Sequence, residues 1–236
     1  MRNVTGASDI RPNGAASSHE RGAAVSRGSR WSLAGYNDVV MQARTETVTR
    51  AVILKPPASF MDERRRMGAD RWDEKWDGVL HMVPPPSRWH QRFGSELLAL
   101  LLPLAKARGL ELSYETGLYR PACEERDYRV PDLVFARPEQ TTERGVEGAE
   151  LVVELLSEGD ESREKLGFYA ELGVSEVLLI DPDSRELELY VLRGGRLHVA
   201  LPDDHGAVRS QILGVSFATT PGPKLSLSWT EGSGQI

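Results

Sequence analysis

Apolar residues recur at two different periods along this chain, and the switches between them mark its elements. A helical spacing runs through Phe93, Leu97, Leu100, Leu101 and Leu104, the apolar stripe of a long helix that Ser87 is placed to cap. Pro103 is expected to kink or end this helix about one turn early, with Gly109 as the stop. Short apolar runs at 51–54, 78–83, 110–114, 118–120 and 131–136 read as strands, the second halted by the prolines at 84–86. The run Leu151 to Leu156 is broken only by Glu154, the mark of a strand buried on both faces. Two further helices are expected, one over Phe60 to Met67 capped by Ser59, the other from about Glu161 to Leu172 and ended by Gly173. After the strand Glu176 to Ile180, Asp181-Pro182-Asp183-Ser184 reads as a turn. The alternating strand Glu186 to Val191 follows, and Gly194-Gly195 makes a hairpin turn. This order predicts an α/β (α+β) fold, a mixed β-sheet flanked by helices with additional β-hairpins.

Residues 1–45 show neither period. They are rich in Gly, Ala, Ser, Arg and Asn and carry too little apolar surface to offset the entropy of ordering. They read as a disordered N-terminal arm ahead of one domain over residues 46–232. No run approaches the roughly 18 apolar residues that span a bilayer. The first residues have no charged start followed by an apolar core and cleavage site. Cys123 is the single cysteine, which excludes an internal disulfide framework and a cysteine-rich zinc site. The expectation is a cytoplasmic protein without a membrane partner.

Charge narrows the choice of partner. The net charge is −6, and residues 1–50 hold seven Arg against four acids, which leaves −9 on residues 51–236. A domain that grips nucleic acid nonspecifically carries a basic footprint, and this one does not. Any such activity has to rest on a local patch, a divalent metal or a partner subunit; a basic arm touching nucleic acid is the weaker option.

Glu154 departs most from packing logic, because a carboxylate inside a buried strand costs several kcal/mol unless it is paired, hydrogen-bonded or metal-bound. Period-two geometry puts Glu150, Val152, Glu154 and Leu156 on one face and Leu151, Val153 and Leu155 on the other. Asp132 opens the neighbouring strand directly after Pro131, and two carboxylates from adjacent strands can cradle a hard divalent cation. On the following helix Lys165 shares a face with Glu161 and Tyr169 and can reach back to the pair. A structural reading stands beside this one. A buried Glu can pair with a core Arg or Lys, an Asp after Pro commonly caps a strand, and a first-turn Lys is usually solvated. The residues alone leave both readings open.

The blocks Tyr128-Arg129-Val130-Pro131-Asp132-Leu133-Val134 and Leu151-Val152-Val153-Glu154-Leu155-Leu156-Ser157 come first in an ordered series. Lys165 with Phe168-Tyr169 and then Gly173 to Pro182 follow them. With Asp77 to Met82 and His90 upstream, this series resembles the Uma family of restriction endonucleases, within the PD-(D/E)XK nuclease superfamily, over about residues 50–215. The resemblance implies a restriction-endonuclease-like fold and an Mg²⁺-dependent (or Mn²⁺-dependent) endonuclease hydrolysing DNA phosphodiester bonds. Asp132 and Glu154 would be the motif acids and metal ligands, with the backbone carbonyl of Leu155 as a third. The superfamily lysine belongs two residues after the acid, where this chain has Leu156. The Uma-like pattern places it on the next helix instead, at Lys165, which would orient the attacking water and stabilise transition-state charge. His90 reads either as a neutral core histidine or as support at the mouth of the metal site. Ser157 is expected to hydrogen-bond its turn, and Glu161 to partner Lys165. A homodimer is expected, since cutting two strands needs two sites. The alternative is a non-catalytic binding or assembly module that retains the nuclease-like fold.

Overall fold

The computed structural model describes residues 51–121, 123, 126–157, 159 and 161–236. The arm expected over residues 1–45, and Glu124 and Glu125 of the 121–127 loop, lie outside the described residues.

The fold is mixed α+β, with three sheets and few helices. Its centre is a six-stranded sheet of β4 (Glu111–Tyr114), β7 (Leu133–Ala136), β8 (Leu151–Leu155), β9 (Glu176–Ile180), β10 (Leu187–Arg193) and β11 (Arg196–Val199), in the order β11-β10-β9-β8-β7-β4. Only β8 and β9 run parallel, and the segment between them makes the crossover that parallel strands require. A five-stranded sheet collects β1 (Ala51–Ile53), β2 (Glu74–Trp76), β3 (Val79–Met82), β5 (Leu118–Tyr119) and β6 (Tyr128–Arg129). The last strands, β12 (Val208–Ser210), β13 (Val215–Thr220), β14 (Lys224–Trp229) and β15 (Gly232–Gln235), form a third sheet in sequence order. The extra strands thus assemble into sheets of their own rather than remaining isolated hairpins.

The two faces of the central sheet belong to two separate cores. Leu133, Phe135, Leu151, Val153, Leu155, Leu178 and Ile180 pack on one side with Leu97 and Leu101 of the long helix and with Phe217 and Leu227 of the third sheet. Val134, Val152, Val177 and Leu179 pack on the other with Phe168, Tyr169 and Val174. The alternation expected along residues 150–156 is therefore present, with the even-numbered residues on the Tyr169 side.

The long helix spans Arg88–Ala107, and the Ser87 hydroxyl caps it by accepting from the His90 N–H at 3.2 Å. The helix does not end at Pro103. Proline forgoes its own hydrogen bond and costs a helix interior about 3 kcal/mol, but Leu104 and Ala105 beyond it are buried in the core, and that packing carries the helix through its last turn. The first helix is Ala58–Met67, and Pro57, not Ser59, stands at its N-cap. The Pro57 carbonyl accepts from Phe60 and Met61, so the serine is left inside the helix without a capping bond. The expected helix from Glu161 splits into a 3₁₀ turn, Ser162–Lys165, and a short α-helix, Leu166–Glu171.

Asp77 and Gly78, both at positive φ (51° and 88°), close a tight hairpin between β2 and β3 that the sequence reading passed over. The hairpin is bonded to the rest by Arg129. Its guanidinium lies 4.4 Å from the Trp76 ring centroid and 4.1 Å from that of Phe168, and it donates to Asp127 at 2.9 Å. Arg120 holds the other oxygen of Asp127 at 2.6 Å, and Asp127 itself is buried.

Candidate functional site

The antiparallel register that pairs Leu133 with Val153 sets Asp132 opposite Glu154, just beyond the end of the β7–β8 ladder. Asp132 does not extend β7. Its Oδ2 accepts the Leu155 N–H at 2.7 Å, so the carboxylate replaces the ladder partner that β7 no longer supplies. Both acids of the sequence reading thus stand together at one end of the strand pair.

Glu154 is buried, and its partners come from the segment after β8. Lys165 Nζ lies 3.1 Å from Oε1 and 3.3 Å from Oε2, and the Tyr169 hydroxyl donates to Oε1. Lys165 is 9% exposed, far from the solvated lysine of the structural reading. Its ammonium also lies 2.9 Å from Glu74 Oε1, a carboxylate of β2 that is 2% exposed. Glu74 accepts in addition from the Trp76 indole and the Val130 N–H, each at 2.8 Å.

One buried cation therefore serves two buried glutamates. Burial opposes the charge on Lys165, but Glu154 and Glu74 outweigh it and hold the ammonium protonated well above its ordinary range. Burial would also raise Glu74, yet Lys165 and the two N–H donors hold its carboxyl below the usual value. Glu154 goes the other way. Burial pushes its carboxyl up to about 8, with Asp132 and Glu74 adding to the shift against Lys165 and Tyr169. The site has more carboxylate than cation to match it.

His90 reaches this cluster from the first turn of the long helix. Its Nε2 lies 3.1 Å from the Leu155 carbonyl oxygen and 3.6 Å from Asp132 Oδ1, while Nδ1 is buried without a hydrogen-bond partner among the described residues. His90 thus lines the same cavity as Asp132 and Glu154. Glu161 Oε2 meets His81 Nδ1 at 2.9 Å, and the His81 ring stacks on Trp76 with centroids 4.1 Å apart. The Lys165 ammonium meets Glu74 and Glu154, and Glu161, expected as its partner, meets His81. Ser157 lines the same cavity as Glu161.

That cavity has a volume of about 270 Å³. Its lining includes the polar Glu74, His90, Asp132, Glu154 and Lys165 and the apolar Trp72, Val83 and Pro84–Pro86. Among the described residues, no three His, Cys, Asp or Glu side chains gather closely enough to hold a metal ion. A hard cation held here would need a main-chain oxygen as well. Asp132 Oδ1 and the Leu155 carbonyl both face the same imidazole nitrogen, which stands where two oxygen donors converge, and Glu154 adjoins them across the strand pair.

Glu74 is the residue that the sequence reading missed. Trp72-Asp73-Glu74-Lys75-Trp76 looks like a solvated segment, and the available signal was the Asp77-Gly78 pair, which implies a hairpin and hence a strand before it.

Comparison with known proteins adds to this geometry. The model of the family Uma2, described as "Putative restriction endonuclease", matches residues 64–220. No curated protein matches the chain. Among solved structures, the crystal structure of "a putative nuclease belonging to DUF820" from Anabaena variabilis is similar at 18% identity with a TM-score of 0.48. The match covers 60% of this chain and 82% of that one.

Proposed function

The chain belongs to the Uma2 family, and from that premise we propose that it is a metal-dependent nuclease that hydrolyses phosphodiester bonds in DNA. The observation that carries the proposal is the presence of Asp132, Glu154 and Lys165 together in the lining of a single cavity. Asp132, Glu154 and the Leu155 carbonyl would hold Mg²⁺ or Mn²⁺. A cation bound there would supply Lewis-acid chemistry toward the phosphate and the attacking water. Lys165, kept charged by two glutamates, presents an ammonium to the non-bridging oxygens as negative charge builds on them. In the reaction a water oxygen forms a new bond to phosphorus, one P–O ester bond breaks, and the proton that the water gives up ends on the departing alkoxide. Tyr169 and Glu74 act on Glu154 and Lys165 by fixing where these two side chains stand.

The surplus of carboxylate in the site supports a cation there, and the bound cation would also relieve the repulsion between substrate phosphate and an acidic domain. A second reading, a binding module that keeps the fold without the chemistry, draws on one observation: both Glu154 oxygens are already engaged by Lys165 and Tyr169. Titration calorimetry with Mn²⁺ separates the two. The nuclease reading expects binding by the intact protein, loss of it in Asp132→Asn and Glu154→Gln, and Mn²⁺-dependent cleavage of DNA. Absence of Mn²⁺ binding with and without DNA would leave only the second reading.

A further inference from the structure

We propose that the apolar lining of the cavity, Trp72 with Pro84–Pro86, is a base site, and that the substrate presents its scissile phosphate on an unpaired nucleotide, from single-stranded DNA or from a nucleotide turned out of the duplex. The inference rests on the nuclease reading above and adds the form of the substrate. The polar groups that would act on phosphate are deeply placed, with Glu74, Glu154 and Lys165 at 2%, 3% and 9% exposure. They line a cavity of about 270 Å³, which holds a nucleotide and not a double helix. A phosphate that reaches them brings its own sugar and base into the same space.

The apolar part of the lining suits that base. Trp72 and Pro84–Pro86 offer an aromatic ring and three flat, hydrogen-free-nitrogen residues, surfaces on which any base can stack. Arg71 lies over the Trp72 ring at 5.2 Å and is 64% exposed while its guanidinium meets Glu115, which lines the cavity, at 3.3 Å. An exposed cation is thereby held beside two lining residues, within reach of a flanking phosphate. An unpaired strand also needs less of the broad basic surface that this domain lacks.

The test compares binding of a short single strand, a fully paired duplex and the same duplex with one unpaired nucleotide, all in Ca²⁺, with cleavage followed separately in Mn²⁺. The unpaired substrates should bind about tenfold more tightly than the paired duplex, as loss of one base-stacking contact implies. Trp72→Ala should abolish the difference, and Trp72→Phe, which keeps an aromatic ring, should retain part of it. Equal affinity for all three, or a preference untouched by Trp72→Ala, overturns the base site while continued Mn²⁺ cleavage leaves the nuclease reading intact. A Trp72-dependent preference without cleavage keeps the base site and overturns the nuclease reading. Binding to none of the three overturns both.

Discussion

Lys165 Nζ lies 2.9 Å from Oε1 of Glu74, so the lysine of the site is anchored to the five-stranded sheet as well as to the central sheet that carries Glu154. The pair joins two sheets through a buried ion contact, and the site can be correct only when both sheets are in place.

Removing the cation should therefore cost both fold and chemistry. Lys165→Met leaves Glu74 and Glu154 facing each other without a counter-charge, and a buried pair broken in this way costs about 3–5 kcal/mol. Urea denaturation should show that loss. Adding Glu154→Gln should restore part of it without restoring cleavage, because the coupling between the two residues is electrostatic.

Tyr169→Phe isolates the support given to Glu154. The hydroxyl is the only atom removed, and Lys165 remains on the carboxylate. A buried acceptor that loses one of its donors costs about 1–3 kcal/mol. Thermal denaturation should report a fall of that order, with cleavage reduced but not abolished.

Asp127 gives a prediction in pH. Burial would raise its carboxyl, but hydrogen bonds from Arg120 and Arg129 outweigh that and hold it below its ordinary value of 3.8. A depressed carboxyl adds stability that is fully present above the unfolded value and lost as pH falls through the folded one. The stability gap between the natural protein and Asp127→Asn should hold at neutral pH and close only on acidification below 3.8, as followed by urea denaturation across pH.

Gly94 is a test of packing rather than charge. A Cβ there would come within 2.6 Å of the Tyr114 hydroxyl and 2.9 Å of its ring. Tyr114 is tied to Gln91 on the same helix at 3.2 Å, which limits its retreat. Gly94→Ala should therefore destabilise by about 1–3 kcal/mol despite the better helix propensity of alanine. A melting temperature at or above that of the natural protein would contradict this.

Much of the site was legible because its residues break local rules. Glu154 interrupts an apolar run, Asp132 follows a proline at a strand start, and Lys165 sits one turn from Tyr169 on a segment whose next residues are apolar. Glu74 breaks no rule in its own segment. Its importance comes from a partner in another sheet, and a three-residue strand is too short to show a period. The same limit explains the helix ends. Pro103 is a local signal overruled by the burial of Leu104 and Ala105, and Ser59 by the extended backbone that Pro57 fixes before it. His90 was ambiguous because its helical stripe points to the core, while the first turn of that helix lies over Leu155. The contacts of a chain with its distant parts are what the periods leave out.

The strand β8 separates the two hydrophobic cores and supplies residues to both. Its amides are then expected to exchange with solvent only by global opening, since neither core can loosen without exposing one of its faces. Glu154 rides on that strand. Ligand-induced rearrangement would have to come from the surrounding segments, with the carboxylate as the fixed point of reference. Partial unfolding at the periphery can change what enters the cavity, but loss of the acid's position and loss of the native state are one event.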